Sequence, residues 1–400
     1  MDGDGRFTVR KVPHSDGTHS SWIFTPDAEV DRASLNVLAA YGTSSQRTYA
    51  YALADHLNWA NANGKSPGSI TLKDLLRYMN GLIGGEAGIH GAVWRRPEQQ
   101  PTVAASAAAT TATIVKAYYL RLSVTQSIDP ALVEALTRPG RSRRVREANP
   151  LAPTKGTRRP RFLPDEVVET LYRPGNLTTA RDIMIVTWLH DGGLRVGGLC
   201  GLRFADLHLI RHHPCGQRAE PHVHIVGRDD NPNGARAKSY TDHRAANMSK
   251  DGYVVDGGIR AVSPDMISTF YAYLLDEYHP LQHAVDHQQV LIHVRGTTPG
   301  AALSTSGVRK MLRRACARAD LPVRITPHAF RHKAASALYA ASDFNAEMVA
   351  QEFGWAAPEM VINLYGRSAN RDAVRYLQQA WDATARPPTE PHLVPAEAAE

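Results

Sequence analysis

The spacing of apolar residues divides the chain into segments of different character. Over residues 31–140, apolar positions recur every three to four residues, which is the period of one face of an α-helix. In SITLKDLLRYMNGLIGG, Thr71 stands where a helix cap is expected, and glycines end the pattern. The pattern predicts an all-helical domain over 31–140, whereas residues 1–30 show no period and are predicted to form a loose leader.

From residue 163 onward, helical patterns alternate with short runs typical of strands. The runs PHVHIVG and ARAKSYT flank the turn-forming RDDNPNG and predict an antiparallel hairpin, and QVLIHV predicts a further strand. We therefore expect a mixed α+β domain over 163–385 and a polar tail over 386–400. The predicted fold class is mostly α with a small antiparallel β-sheet, arranged in two domains.

A basic, proline-rich segment separates these domains. Residues 138–161 carry nine lysines or arginines against a single glutamate. Prolines and clustered like charges favour an extended, solvated chain. We predict a linker over 141–162 that lies along a polyanion; a hinge that only stays soluble is the alternative. The predicted contacts are Arg141, Arg143, Arg144, Arg158 and Arg159.

The charge balance narrows the class of partner. The net charge is +7, and 37 of the 46 basic residues are arginines. The planar guanidinium fork matches phosphate oxygens, so this bias favours nucleic-acid binding, although a GC-rich genome produces the same bias. The chain has no run of eighteen apolar residues, and its start lacks the apolar core of a secretory signal. These features predict a cytoplasmic protein with no membrane span.

Cysteine and histidine offer little sign of a metal site. The three cysteines, Cys200, Cys215 and Cys316, show no C-x-x-C spacing and fit a reducing compartment. Histidines 208, 212, 213, 222 and 224 cluster loosely in the sequence, but their spacing matches no metal module. We interpret these histidines as surface or DNA-facing groups and predict no metal or other cofactor.

The stretch TPHAFRHK places chemistry at the start of a helix. Thr326 and Pro327 predict the cap and the first helical position, so His328 and Arg331 share one face of the opening turns. A helix N-terminus beside a guanidinium attracts phosphate. A zinc site needs His328 and His332 with a glutamate between them, and Ala329 stands where H-E-x-x-H has that glutamate. A polar helix surface without function is the remaining alternative.

Further polar and aromatic residues occur near chain breaks. Arg195 follows a Gly-Gly break, Lys238 follows a tight turn, and Tyr365 ends a helix begun by Pro358. Each has an ordinary explanation when taken alone: Lys238 as an exposed turn residue, and Tyr365 and Trp355 as core aromatics. Their joint order in the chain is what calls for a functional explanation.

This order resembles the tyrosine recombinase, or phage integrase, family. The stretches that carry the resemblance are GLRVGGLCGLRFADL, TPHAFRHKAASAL and FGWAAPEMVINLYGR, and the likeness extends over roughly residues 31–385. It implies a two-domain clamp around DNA, with a helical core-binding domain and a catalytic domain. It also implies a site-specific recombinase or integrase that cuts and rejoins DNA through a 3′-phosphotyrosine, without ATP or metal.

The resemblance implies a role for each matching residue. Arg195 and Arg331 would hold the scissile phosphate, and Lys238 would be the general acid. His328 would be an acid, a base or an orienting group, and Tyr365 would be the nucleophile. Trp355 occupies a position where many members carry a second histidine and some carry tryptophan.

The chemistry requires groups of these kinds. Forming a phenolate at neutral pH costs about 4 kcal/mol, because the pKa of tyrosine is near 10. Guanidiniums offset the negative charge that repels a nucleophile from a phosphodiester, and a lysine ammonium can protonate the departing 5′-oxygen. The sequence contains no G-x-x-x-x-G-K-[ST] phosphate loop, which agrees with a reaction that uses no ATP.

One position departs from the family pattern. Many members carry an acidic residue three positions after the first arginine, and Gly198 stands there in this chain. This leaves open a DNA-binding regulator with a decayed catalytic site, and a type IB topoisomerase is a second alternative. The expected partners of a recombinase are double-stranded DNA with inverted-repeat sites, further copies of the chain in a tetramer, and an accessory DNA-bending protein. Such an enzyme would act on the bacterial nucleoid.

Overall fold

The computed structural model describes residues 5–15, 19–84, 103–126, 128–138, 149–153, 163–238, 248–255, 257–322 and 324–365. The chain divides into two compact units, residues 1–158 and 159–400. The five linker arginines and the tail lie outside the described residues, so the predictions made for them stay predictions. No helix among the described residues is long and apolar enough to span a membrane.

Unit 1 opens with a β-hairpin, so the prediction of a loose leader is wrong. Strand β1 (Thr8–Pro13) pairs antiparallel with β2 (His19–Phe24). Ile23 is fully buried and joins the helical core, and the Asn58 side chain exchanges hydrogen bonds with the backbone of Phe7. The sequence shows little alternation here because only a few inward side chains are apolar, and the hairpin is held by this contact with the helix that contains Asn58.

The helices of unit 1 agree with the predicted pattern. Thr71 and Asp74 exchange hydrogen bonds at the start of α3, as the predicted cap requires. A cluster of buried apolar side chains joins the helices into one core. The helices are α1 (Arg32–Leu38), α2 (Thr43–Ala62), α3 (Leu72–Gly84), α4 (Ala105–Leu122) and α5 (Pro130–Thr137).

Unit 2 is built from helices around a second core. Ser263 and Ser304 cap two of these helices through their side-chain oxygens. The helices are α6 (Asp165–Tyr172), α7 (Ala180–His190), α8 (Val196–Cys200), α9 (Pro264–Tyr273), which continues through a π-turn (Leu274–Tyr278) into α10 (His279–Leu281), α11 (Thr305–Arg318), α12 (Pro327–Ala341), α13 (Ala346–Phe353) and α14 (358–365).

A three-stranded antiparallel sheet completes unit 2. Its order is β3 (Leu207–His208), β4 (His222–Ile225) and β5 (Gly258–Ala261). The fold class predicted from the sequence, mostly α with a small antiparallel sheet, is therefore confirmed.

Two strand assignments within this class are wrong. The described part of ARAKSYT, residues 235–238, is not a strand, and β4 pairs with β3 and β5 instead. QVLIHV is a buried extended segment with isolated bridges at Gln289 and Ile292. Short apolar runs show burial, but the identity of a strand's partner depends on contacts distant in sequence.

Candidate active site

Arg331 is held inside unit 2 at the start of α12. Thr326 adopts the extended cap conformation and Pro327 takes the first helical position, as predicted. The Arg331 side chain is buried and donates hydrogen bonds to the carbonyl oxygens of Gly193, at 2.9 Å, and Phe353. Its Nε has no hydrogen-bond partner among the described residues. A buried guanidinium with one unused donor is suited to binding an anion.

Arg195 reaches the same region from a different element. It precedes α8 at the N-cap position, in agreement with the predicted short helix. Its Nη1 donates to the backbone oxygen of Lys238 at 2.9 Å, and its Nη1 and Nη2 lie 3.5 and 3.4 Å from the oxygen of Gly354. Backbone carbonyls thus orient both arginines without neutralising their charge.

Gly354 brings a third arginine into the site. It ends α13 in the left-handed conformation, with a φ of 57°, which favours glycine. A Cβ at this position would lie 2.9 Å from Nη2 of Arg260, a side chain that is only 7% exposed. The glycine therefore ends the helix, faces Arg195 with its carbonyl and leaves room for the Arg260 guanidinium.

Two glycines of α8 allow close packing: Gly197 against the loop that carries Lys238, and Gly198 against β4. A Cβ on Gly197 would lie 2.3 Å from the backbone oxygen of Arg236, and a Cβ on Gly198 would lie 3.2 Å from the Ile225 side chain. An acidic side chain at position 198 would have to displace the β4 residue Ile225. The position where the family pattern has an acidic residue is therefore filled by a glycine that packs closely against Ile225. Backbone carbonyl oxygens contact the arginines of this site.

These residues surround one small cavity without a carboxylate in its lining. The lining consists of Leu194, Arg195, Gly198, Ile225, Ala237, Lys238, Arg260 and Arg331. Burial and the neighbouring arginines lower the pKa of Arg331 to about 9 and that of Arg260 to about 10, although the nearby Glu352 carboxylate, outside the lining, opposes the shift of Arg260. Both remain cationic at neutral pH, and a bound anion would relieve their mutual repulsion. The cavity has the electrostatics of an oxyanion or phosphate site.

Tyr365 lies beside Arg331, and its hydroxyl contacts a histidine. Its side chain is fully buried, and its hydroxyl oxygen is 2.6 Å from Nδ1 of His332. Burial raises the pKa of Tyr365, and the Arg331 charge opposes this rise. Burial, together with His328 and Arg331, lowers the pKa of His332 to about 4. The pair is therefore a neutral phenol and a neutral imidazole at pH 7.

Trp355 and His328 border this pair on two sides. The Trp355 ring lies 6.0 Å from the Tyr365 ring and 5.1 Å from the Arg331 guanidinium carbon. The His328 ring contacts the His332 ring edge-on at 4.2 Å. Loss of water contact, with Arg331 and Arg195 nearby, lowers the pKa of His328. Trp355 is thus a packing contact of both the nucleophile candidate and an arginine.

The structure brings most of the predicted residues into two adjoining groups. Arg195, Lys238 and Arg331 line the cavity, whereas Trp355, Tyr365 and His328 are connected to Arg331 through ring contacts or through His332. The roles predicted for them stay predictions.

Two residues were missed as members of the site. Arg260 lines the cavity from β5, and His332 contacts the tyrosine hydroxyl. His332 stands next to Arg331 in the motif and was considered only as a zinc ligand. Arg260 gave no local signal, because its position depends on strand pairing with Val223.

Comparison with known proteins finds a family match for part of the chain. Residues 265–371 match the model of the phage integrase family. Transposase A from transposon Tn554 of Staphylococcus aureus is 25% identical over 194 residues, which make up 48% of this chain and 45% of the transposase. The chain thus spans less than half the length of that relative.

Two solved structures are similar to the chain. One is XerH site-specific recombinase bound to palindromic difH substrate, with 15% identity, a TM-score of 0.49 and coverage of 86% of this chain and 81% of that one. The other is a lambda integrase dimer bound to a COC′ core site, with 15% identity, a TM-score of 0.49 and coverage of 84% and 93%. Residues 265–371, which include His328, Arg331, Trp355 and Tyr365, therefore match the phage integrase family.

Proposed function

We propose that the chain is a site-specific DNA recombinase that cuts and rejoins DNA through a 3′-phosphotyrosine at Tyr365. The observation that carries this proposal is the carboxylate-free cavity, lined by Arg195, Arg260 and Arg331, with a tyrosine–histidine pair beside Arg331. The site contains a buried arginine with an unused donor next to a buried phenol. A protein that only binds DNA on its surface does not need this arrangement, and neither does a packed core.

The arginines supply the binding of the scissile phosphate. A phosphodiester carries one negative charge and gains more on its oxygens as a nucleophile attacks. Arg195 and Arg331 are already oriented by backbone carbonyls, so little reorganisation is needed when the phosphate arrives. Removing one such oriented donor typically slows a reaction about 100- to 1000-fold.

Tyr365 attacks the phosphorus, and the bond to the 5′-oxygen breaks. The phenolic proton must leave, and His332 Nδ1, 2.6 Å away, can accept it. In the tautomer with a proton on Nε2, the tyrosine hydroxyl donates to Nδ1. The raised pKa of Tyr365 and the lowered pKa of His332 both oppose this transfer in the free protein. We infer that the nucleophile is inactive until DNA binds.

Lys238 is the proposed acid for the departing 5′-oxygen. Its side chain is exposed at the rim of the cavity, and its backbone oxygen accepts a hydrogen bond from Arg195. A proton from the ammonium converts the leaving oxygen to a hydroxyl. A second 5′-hydroxyl then attacks the phosphotyrosine, which restores a phosphodiester and frees the phenol, so no external energy source is consumed.

The partners follow from this reaction. The substrate is double-stranded DNA, and exchange between two duplexes requires several copies of the chain, for which we propose a tetramer on inverted-repeat sites. The helical domain over 31–140 and the linker over 141–162 would supply further DNA contacts, and an accessory DNA-bending protein would help assembly. Such a protein acts where bacterial DNA lies, in the cytoplasm.

The test is covalent trapping on DNA. A nicked suicide substrate should accumulate a protein–DNA adduct without added metal or ATP, and digestion should leave the 3′-phosphate on a peptide that contains Tyr365. Tyr365→Phe should keep DNA binding and form no adduct. An adduct that persists in Tyr365→Phe, or a 5′-phosphate linkage, would contradict the proposal.

The same experiment separates the alternatives. A decayed DNA-binding regulator would give no adduct with the wild-type chain. A type IB topoisomerase would give the adduct and relax supercoiled plasmid, but it would not exchange strands between two duplexes that carry the target site. A recombinase joins strands from both duplexes, and this product is visible on a denaturing gel.

A further inference from the structure

A buried group of metal-ligand side chains lies outside the cavity. One ligand atom from each of His208, Cys215, His222 and His224 lies within 4.8 Å of every other, and all four residues are buried. The interpretation of the histidines at 208, 222 and 224 as surface or DNA-facing groups is therefore wrong. The sequence spacing H-x6-C-x6-H-x-H concealed the group, because the ligands meet through strand pairing.

The sheet register explains how these residues meet. His208 on β3 stands directly opposite His222 on β4. His224 is two residues further along β4, so it shares the face of His222. The loop 209–221 returns the chain and places Cys215 beside His222, where the sulfur lies 3.2 Å from Nε2.

The ligand atoms in the group lie close enough together to share one metal ion. Nδ1 of His208 and Sγ of Cys215 each lie 3.2 Å from Nε2 of His222. A zinc ion with bonds of about 2.0–2.1 Å to nitrogen and about 2.3 Å to sulfur keeps tetrahedral ligand atoms about 3.3–3.8 Å apart. These two distances lie within a few tenths of an ångström of that range, and the other pairs, all within 4.8 Å, would draw together around the ion.

The ring of His222 is oriented as a metal ligand is. Its Nδ1 lies 2.7 Å from the backbone oxygen of Glu220, to which it can only donate a proton. The proton on Nδ1 leaves a lone pair on Nε2, and this lone pair points at Cys215 and His208. A second-shell carbonyl that fixes the tautomer in this way accompanies most histidine ligands.

We propose that His208, Cys215, His222 and His224 bind a structural zinc ion. Three imidazoles and one thiolate match the borderline-soft character of zinc, and four protein ligands in a buried position close the coordination sphere. The His213 ring stacks on His208 at 3.7 Å, and its Nδ1 accepts a hydrogen bond from the backbone of Cys215. His213 thus covers the site and shapes the loop that carries the thiolate.

The zinc ion would stabilise the sheet that supports the cavity. Along β4, His222 and His224 face the metal site, whereas Val223 and Ile225 face the opposite side. Val223 is in the core and pairs with Arg260, and Ile225 lines the cavity. Fixing β3 and β4 on one face therefore fixes two cavity residues on the other.

The loop that carries Cys215 has a second connection to the site. Arg218 pairs with Glu352 on α13 at 3.3 Å, and Glu352 also accepts a hydrogen bond from the backbone of Ala261 on β5. A loop of this length without regular structure is uncommon inside a compact unit, and a bound metal would add a cross-link to the Arg218–Glu352 pair.

The metal content of tag-free protein tests the proposal. After gel filtration in metal-free buffer, elemental analysis should find about one zinc per chain. Cobalt(II) exchanged for zinc should give visible bands of tetrahedral geometry and a thiolate-to-cobalt charge-transfer band. Cys215→Ser should lose the charge-transfer band, and His224→Ala should lose the bound metal. His212→Asn, which changes an exposed histidine of the same loop, should keep both metal and spectrum.

Wild-type protein alone decides the matter if these variants fail to fold. A chelator should lower its unfolding midpoint, expose Cys215 to alkylation and increase amide exchange in β4 and β5, and zinc should reverse all three changes. Protein that binds neither zinc nor cobalt would overturn the proposal, and so would an unfolding midpoint that does not change when the chelator is added. These readouts do not depend on recombinase activity, so they stand whatever the outcome of covalent trapping.

Discussion

The Tyr365 hydroxyl oxygen lies 2.6 Å from Nδ1 of His332, and the Tyr365 side chain is fully buried. The two residues come from α14 and α12, and Tyr339 and Trp355 pack on the same phenol ring. Burial raises the pKa of Tyr365 and keeps the proposed nucleophile neutral and out of solvent. The contact also makes His332 a candidate acceptor for the proton that the reaction must remove.

His332→Leu should slow DNA cleavage strongly while leaving DNA affinity unchanged. Loss of a positioned base typically costs about 10²- to 10⁴-fold. Single-turnover cleavage of the nicked suicide substrate measures the rate. His332→Asn should recover little of that rate at neutral pH, because the amide can position the phenol but cannot take its proton.

Two results would remove His332 from this role. His332→Leu that cleaves at the wild-type rate would show that the contact only packs the core. Full recovery in His332→Asn would assign positioning alone. Lys333→Gln is the matched control. This neighbouring lysine on α12 pairs with Asp165, and no hydrogen bond among the described residues joins it to the Tyr365 hydroxyl.

Lys238→Ala should slow cleavage of ordinary DNA and be rescued by a 5′-bridging phosphorothiolate. The sulfur leaves without protonation, so the missing acid no longer limits the rate. Arg236→Ala is the control from the same loop, because its side chain pairs with Asp229 at 3.3 Å instead of lining the cavity. Equal defects of Lys238→Ala on both substrates would exclude Lys238 as the acid.

Arg260→Gln should reduce cleavage by about 10²- to 10³-fold, the range for loss of one oriented donor. The expected stability change is small, because the substitution removes repulsion that lowers the pKa of Arg331 but also removes the attraction between Arg260 and Glu352. Arg218→Gln is the matched control: it also removes a partner near Glu352 but does not line the cavity. Similar cleavage by both variants would exclude Arg260 from phosphate binding.

Local signals predicted the helices and the motif positions. Caps at Thr326 and Thr71 and the break before Arg195 each depend on a few neighbouring residues, so the sequence identifies them. The predicted function also followed from motif order. What these features share is that no residue distant in the chain is needed to recognise them.

Residues that depend on tertiary contacts were missed. The hairpin at 8–24 is anchored through Phe7, whose backbone bonds Asn58 at a separation of 51 residues, and Arg260 reaches the cavity through its pairing with β4. The histidines of β3 and β4 converge only once the strand register is known. A pattern of apolar residues shows which positions are buried, but it does not show which positions meet.

His56 makes the stability of unit 1 depend on pH. Its ring is fully buried, and Nε2 lies 2.9 Å from the hydroxyl of Tyr119. Burial lowers the pKa of His56 to about 3, below its ordinary value of 6.5. The unfolded chain therefore binds the proton first as the pH falls. The stability from neutral His56 is complete above pH 6.5 and declines as the pH falls toward 3.

Between pH 7.5 and pH 5.0, unit 1 should lose about 2 kcal/mol of unfolding free energy through His56. Urea pulse proteolysis of the full chain, with cleavage inside α2 and α3 read by mass spectrometry, measures this change. His56→Gln should show a correspondingly weaker dependence on pH over that range, whatever its absolute stability. His14→Gln, which alters an exposed histidine of the same unit, should retain the wild-type dependence. An unchanged dependence in His56→Gln would mean that other groups set the acid sensitivity of unit 1.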